Sequence, residues 1–202
     1  MIADFEIELR GRLTDEKFLN IKDFLDKNAK LKAEKNRVFY DYSTFIPGEG
    51  LRGRTKDFRV RETNGQPEVI LKLGNWQGSD RREEISVLTE KNSTEKLLKI
   101  FGEMGFVKAI KGIRHTLAYD YKNIEIALVE VPGHSYYFEA EIVAPADSNH
   151  DEVHQRIQNI LDELGLETFT EDGFHDYIDQ LNAETNEVYE YKKDTLTSQN
   201  IA

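Results

Sequence analysis

Along most of the first 145 residues, apolar and polar side chains alternate with a period of two. That period predicts β-strands at roughly 3–13, 36–46, 56–63, 68–74, 81–90, 112–121, 123–131 and 135–144. Turn-forming segments such as Pro47-Gly48-Glu49-Gly50, Asn64-Gly65-Gln66-Pro67 and Pro132-Gly133 separate several of them, so consecutive strands are expected to be antiparallel neighbours. Eight strands is the count of a small closed barrel, and closure removes exposed edges.

The period changes to that of a helix in four places. Thr14 is placed to cap a helix through about Lys27, with Lys17 where a capping box has an acid and Phe18, Ile21, Phe24 and Leu25 as its apolar stripe. Ser93 or Thr94 caps a second, carrying Leu97, Leu98, Ile100, Phe101 and Met104 up to Gly105. A third runs from about Asp151 to Leu164 and stops at Gly165, and a fourth covers about 174–192. The expected fold is α+β: an eight-stranded closed antiparallel β-barrel with helices packed on its outside. A single domain over 1–192 is expected, with 193–202 as a flexible tail. The late helices suit the barrel wall or one of its mouths.

The strands differ from ordinary half-buried ones in the chemistry of their polar face. Glu6, Glu8, Arg10 and Arg12 share one face of the first strand, opposite Ile7, Leu9 and Leu13. Arg59 and Arg61 oppose Phe58 and Val60, Lys72 opposes Leu71 and Leu73, Arg82 stands beside Glu84, and Glu139 and Glu141 share a face near the end. A sandwich would turn such an ionic face to solvent; a barrel would turn it inward, leaving the apolar face outward under helices. Four amphipathic helices need something to cover, which favours the barrel.

Composition narrows the function. The formal charge of −11 argues against a surface that coats nucleic acid, while permitting a local basic pocket. The absence of cysteine excludes disulfides, thiolate nucleophiles and cysteine-ligated zinc. No apolar run approaches the roughly 20 residues of a membrane span, and the N-terminus lacks a signal-peptide layout, so a cytoplasmic protein with no membrane partner is expected. An interior holding arginines and lysine opposite glutamates is charge-matched to a polyanion bridged by a divalent metal: cations bind phosphate oxygens, and carboxylates hold Mg²⁺ or Mn²⁺. Triphosphate fits better than a neutral ligand.

These motifs, in this order, resemble the CYTH or triphosphate tunnel metalloenzyme family, which includes thiamine, inorganic and RNA triphosphatases and class IV adenylate cyclases. The opening strand is similar to that family's Glu-x-Glu-x-Lys, here Glu6-Ile7-Glu8-Leu9-Arg10. Arg59-Val60-Arg61, Lys72, Arg82-Glu83-Glu84, Arg114 and Glu139-Ala140-Glu141 follow in sequence. The resemblance covers about residues 4–165. It implies a metal set of Glu6, Glu8, Glu139 and Glu141, a phosphate clamp of Arg10, Arg59, Arg61, Lys72, Arg82 and Arg114, and catalytic roles for Glu84, Arg10 and Arg82. The implied activity is metal-dependent hydrolysis of inorganic triphosphate or of a small organic or nucleoside triphosphate. Formation of cyclic AMP from ATP and non-catalytic polyphosphate binding are the alternatives. The sequence leaves the oligomeric state open, a homodimer included.

Three positions depart from the family pattern. Arg10 stands for the usual lysine, Gly112 lies where relatives often have another, and Val129 occupies the place of an aspartate. At the last, a bulge restoring Glu130, an inward Glu125, or loss of a ligand are all open. Other signals are weaker. His150 and His154 are four apart but lack the acid of a zinc helix; GEGLRGR reads as a surface loop, or as a phosphate contact at the tunnel mouth; Trp76 reads as a loop anchor. Tyr136 and Tyr137 straddle the pleat, so that one can face a ligand while the other packs under a helix. Asn92-Ser93-Thr94 reads as a loop and helix cap.

Overall fold

In the computed structural model, residues 5–74, 83–145 and 148–193 are described. The strands are β1 (Phe5–Leu13), β2 (Lys30–Asp41), β3 (Lys56–Thr63), β4 (Gln66–Leu73), β5 (Glu83–Leu88), β6 (Lys108–Tyr121), β7 (Ile124–Val131), β8 (Ser135–Ala144) and β9 (Glu187–Glu190). The helices are α1 (Asp15–Asn28), α2 (Thr94–Glu103), α3 (His150–Leu164) and α4 (Glu171–Glu184). Eight strands follow the order β1-β8-β7-β6-β2-β3-β4-β5, and β9 continues beside β6 where β7 leaves off. Every pairing is antiparallel.

The fold is thus α+β, with the sheet strongly curled into a half-barrel around an ionic concave face. Closure is not drawn by backbone hydrogen bonds: among the described residues β1 and β5, the two ends of the path, do not pair with each other. Lys72 of β4 reaches across toward β1, its Nζ 3.5 Å from Glu6 Oε2.

The convex face carries the core. Ile7, Leu9 and Leu13 of β1, Ile126 and Leu128 of β7 and Phe138 of β8 are buried against Phe18, Ile21 and Leu25 of α1 and Ile157 and Leu161 of α3. Each such side chain contributes about 1.5–3 kcal/mol of burial, so the two helical stripes fix which face of the sheet points outward. A second apolar cluster sets Leu98 of α2 against Tyr40, Tyr42 and Val60. Thr14 caps α1 by accepting from Lys17 N at 3.2 Å, and Gly165 closes α3 in the left-handed conformation with φ 61°. Ser93 occupies the N-cap position of α2, but its hydroxyl donates instead to the Glu90 carbonyl at 2.7 Å.

The helix expected over 174–192 starts earlier and ends sooner. Thr170 caps α4 through Gly173 N, and the helix stops at Glu184, where the Thr185 and Asn186 N–H groups both donate to the Leu181 carbonyl. Residues 187–190 then pair with β6 rather than continuing the helix, and Tyr189 packs edge-on against Tyr40 with centroids 5.2 Å apart. Strand β2 likewise begins at Lys30, six residues before the expected 36, with an irregularity between Leu31 and Ala33. No helix among the described residues is long and apolar enough to cross a membrane. Trp76 and all of the expected 193–202 tail except Lys193 lie outside the described residues.

Helix α4 lies across one mouth of the half-barrel. Phe174 sits under the Arg10 guanidinium at 5.2 Å and Tyr177 under that of Arg12 at 5.3 Å. Arg52, in the glycine-rich loop, holds the acidic side of α4 through Asp176 at 2.6 Å and Asp172 at 3.4 Å. The chain entering α4 is fixed to the sheet where Phe169 N donates to the Arg10 carbonyl at 2.8 Å. Gly11 permits this approach: a Cβ there would stand 2.0 Å from the Glu167 carbonyl oxygen and 2.5 Å from the Phe138 ring.

Candidate active site

The period-two alternation delivers the ionic residues of eight strands to one concave cleft. Its lining includes Glu6, Glu8 and Arg10 from β1, Lys35 and Arg37 from β2, Asp57, Arg59 and Arg61 from β3, and Lys72 from β4. Glu84 of β5, Arg114 of β6, Glu125 of β7 and Glu139 and Glu141 of β8 complete it. Counted to its open mouth, the cleft holds about 1020 Å³. Arg82 lies outside the described residues.

Acids gather on one side. Glu8 and Glu141 are direct neighbours across the β1–β8 ladder, and Glu6, Glu8 and Glu141 bring carboxylate oxygens within 4.8 Å of one another. Glu139 stands outside that trio; it is opposite Arg10, with Arg10 Nε 3.6 Å from its Oε1. Arg10 also grips Glu8 through both Nε, at 2.7 Å, and Nη2. Burial, reinforced by Glu6, Glu8, Glu125 and Glu139, pushes the Glu141 carboxyl up to about 9. Burial and Glu8 raise Glu139 in the same direction, against Arg10 and Arg37. Crowded carboxylates of this kind require either a proton or a cation, so the donor set fits a hard divalent metal.

A pH signature follows. Glu141 ionises near its ordinary 4.5 in the unfolded chain and near 9 in the metal-free fold. Below about 4.5 both forms are protonated and no stability is lost; as pH rises toward 9 the unfolded chain releases the proton first, and the fold weakens. Glu141→Gln is therefore expected to melt higher than the parent at pH 8 without metal, with the gain gone near pH 4.5. Thermal melts of both proteins in chelator across that range check it; a variant less stable at pH 8 would refute the carboxylate crowding.

Cations occupy the facing strands, most of them already engaged. Asp57, 2% exposed, holds Arg59 with two bonds of 2.6 Å to Nε and Nη2. Against the effect of burial, Asp57 and Asp41 raise the affinity of Arg59 for its proton. Arg61 Nε donates to Glu68 at 2.7 Å. Lys72 lies 2.7 Å from Glu84. Against the upward pull of burial, Lys72 holds the Glu84 carboxyl below the usual range. Behind them Arg54, fully buried, donates to Asp41 at 2.8 Å and to Thr44 at 2.8 Å, and lies 4.0 Å from Asp57. The GEGLRGR loop is thus a surface loop at Arg52 and a structural anchor at Arg54.

The three departures acquire geometry. At Gly112 a Cβ would meet Phe39 Cζ at 2.4 Å, so the Phe39 ring fills the space that a lysine would need. That ring lies beneath two guanidiniums, Arg59 at 5.7 Å and Arg114 at 5.2 Å. Around Val129 the register is unbroken, with Thr116 on one side and Tyr137 on the other, so no bulge turns Glu130 inward. Glu130 faces out, 3.6 Å from His115. Glu125 does line the cleft, opposite Glu141, but ion pairs with Lys32 at 2.5 Å and Lys35 at 3.3 Å engage it.

Beyond this ionic cleft, toward α4, the lining turns apolar, with Phe39, Tyr137, Phe174, Tyr177 and Leu181 around a space adjoining Arg10, Arg59 and Arg114. Tyr137 is the inward member of its pair; Tyr136 stacks on Phe18 of α1 with centroids 4.1 Å apart. His150 and His154 stack on one another at the start of α3, away from the cleft lining. Lys35, Arg37 and Asp57 were missed from sequence, although Asp57 is two residues before Arg59 and thus on its face.

The CYTH domain family model matches residues 4–174. Among solved structures, a protein of Pyrococcus horikoshii OT3 superimposes with a TM-score of 0.65 at 22% identity, covering 87% of this chain and 98% of that one. A Hippeastrum protein described as a candidate adenylyl cyclase with a dominant triphosphatase activity gives 0.58 at 14% identity, over 83% and 90%. A Vibrio parahaemolyticus protein described as a candidate adenylate cyclase gives 0.57 at 17% identity, over 81% and 90%. No curated protein matches the sequence.

Proposed function

The chain belongs to the CYTH domain family, and from that premise we propose that it is a divalent-metal-dependent hydrolase of inorganic triphosphate or a small organic or nucleoside triphosphate. The observation that carries this reading is the pairing of opposite charges within one cleft: Glu6, Glu8 and Glu141 converge, Arg59 and Arg61 line the same cleft from β3, and Lys72 reaches from β4 toward Glu6. A triphosphate with its metal carries both complementary charges.

In this reading Glu6, Glu8 and Glu141 hold Mg²⁺ or Mn²⁺, with Glu139 beside them, tied to Arg10. The metal would supply Lewis-acid polarisation of a phosphoryl oxygen. The chain supplies the remainder. Arg10, Arg59, Arg61, Lys72 and Arg114 bind phosphate oxygens and stabilise the charge that gathers on them as the anhydride breaks. Glu84, kept ionised by Lys72, is the carboxylate that accepts a hydrogen bond from water and orients it. Arg10 contributes a planar fork where an ammonium would be a point charge. Arg82 retains its proposed clamp role by analogy alone. Tyr137, half-buried and held protonated by its surroundings, walls the cleft against water from the α4 side.

The test is phosphate release from tripolyphosphate, ATP and thiamine triphosphate with Mg²⁺ or Mn²⁺, beside the same reactions in chelator. Metal-dependent release from at least one substrate is expected. Cyclic AMP from ATP would make the protein a class IV cyclase, and tight tripolyphosphate binding without turnover would make it a binding module.

A further inference from the structure

Arg37 is held in the cleft in a way that no structural role accounts for. On the β2–β6 ladder it stands directly opposite Arg114, and the next inward pair on β2 and β3 is Phe39 with Arg61. Like charges placed directly opposite across an antiparallel pair destabilise the sheet. The other cations of the cleft offset their cost with carboxylates: Arg10 with Glu8, Arg59 with Asp57, Arg61 with Glu68, Lys72 with Glu84, Lys35 with Glu125. Glu139 and Glu68 favour the charge of Arg37 from a distance, but among the described residues no carboxylate is within ion-pair reach of it, and its buried Nε makes no hydrogen bond. Arg114 reaches only neutral groups among the described residues, its Nη1 donating to the Ile113 carbonyl at 2.7 Å and Nη1 and Nη2 each lying 3.3 Å from Asn186 Oδ1.

Both arginines line the cleft, and Arg114 is held there by packing. Arg114 lies over the Phe39 ring, and that ring is wedged over Gly112, one pleat along the same ladder. Burial, followed by the nearness of Arg61, makes Arg37 a weaker base than an arginine in water. The strain is electrostatic, and an anion between the forks removes it while satisfying the unbonded Nε.

We propose that Arg37 is a phosphate-binding residue, forming with Arg114 a two-arginine clamp for one terminal phosphate of the bound polyphosphate. The clamp restores on β2 the positive charge that Gly112 does not supply on β6. This rests on the polyphosphate reading above, and sharpens it by assigning a residue of β2 to the ligand.

The test uses the full chain, wild type and Arg37→Gln, with calorimetric titration of tripolyphosphate into chelator-treated protein and again with Mg²⁺, beside thermal melts without ligand. Loss of charge-assisted bonds predicts affinity weakened by roughly tenfold to a hundredfold. Removal of the like-charge pair predicts a ligand-free melting temperature at or above that of the wild type. Arg37→Lys, which keeps the charge without the fork, should fall between the two in affinity. Wild-type-like affinity in Arg37→Gln overturns the clamp while leaving the polyphosphate reading in place, as does a lowered melting temperature with unchanged affinity, which would make Arg37 structural. Absence of tripolyphosphate binding by the wild type in both conditions overturns both.

Discussion

Glu6→Gln is expected to reduce metal-dependent triphosphate turnover by at least about 100-fold while leaving the protein folded. Losing a partner that merely orients a metal ligand already costs about 10–100-fold, and Glu6 is proposed as a ligand itself. Its oxygen belongs to the three-carboxylate cluster with Glu8 and Glu141, and an amide cannot replace the charge. The fold should tolerate the change because Lys72 keeps its closer partner Glu84 at 2.7 Å when the 3.5 Å contact to Glu6 is lost. Steady-state phosphate release over a Mn²⁺ titration, with a thermal melt of the same sample, measures both halves. Turnover within a few-fold of wild type at every metal concentration would remove Glu6 from the metal set.

The second large effect concerns stability. Gly11→Ala would place a Cβ 2.0 Å from a backbone oxygen, that of Glu167, as well as 2.5 Å from the Phe138 ring. A side-chain tip could swing away, but a carbonyl moves only with its chain. Segment 165–169 carries the link from α3 to α4 and is bonded to β1 through Phe169 N and the Arg10 carbonyl. Overpacking costs about 1–3 kcal/mol or more, and at about 2–4 °C per kcal/mol for a chain of this size the melting temperature should fall by roughly 5–10 °C. Because the displaced segment leads into α4, affinity for polyphosphate should fall with it. A melt unchanged within 1–2 °C would mean that the link does not lie on β1 in solution.

How far the fold could be read in advance depended on where polar residues pointed. Strands β3, β7 and β8 were legible because Val60, Ile126 and Phe138 alternate with inward polar or small residues and show the period of two. The first half of β2 was not: in Lys30–Asn36 the inward Lys35 faces ions and the outward Glu34 and Asn36 face water, so neither side presents an apolar stripe. Strand β9 was hidden differently. Val188 falls seven residues after Leu181, a helical interval, and only the local break at Thr185 and Asn186 hands the segment to β6.

The candidate site shows the same division. The two Glu-x-Glu pairs were readable because a spacing of two on a strand fixes a common face. Which three carboxylates converge was not, since that depends on the Glu8–Glu141 register between strands far apart in the chain. Arg54 was unreadable for a related reason: nothing in a glycine-rich loop announces that its one fully buried arginine will be met by Asp41, thirteen residues earlier. Val129 is the reverse case. The sequence already showed the missing carboxylate, and the unbroken β7 ladder removes the possibility that a bulge replaces it with Glu130.

Between β1 and β4, the Lys72–Glu6 contact is a tie made of charge rather than of backbone bonds. A polyanion that engages Lys72 takes up one half of that tie, so ligand binding and the spacing of β1 and β4 draw on the same cation. Thermodynamic reciprocity then makes the seam a lever in both directions. Whatever spreads β1 from β4 alters affinity by the factor with which the ligand alters the spread. Salt weakens exposed pairs before buried ones, and this pair is largely shielded, so the tie should outlast the exposed ion pairs of the surface as ionic strength rises.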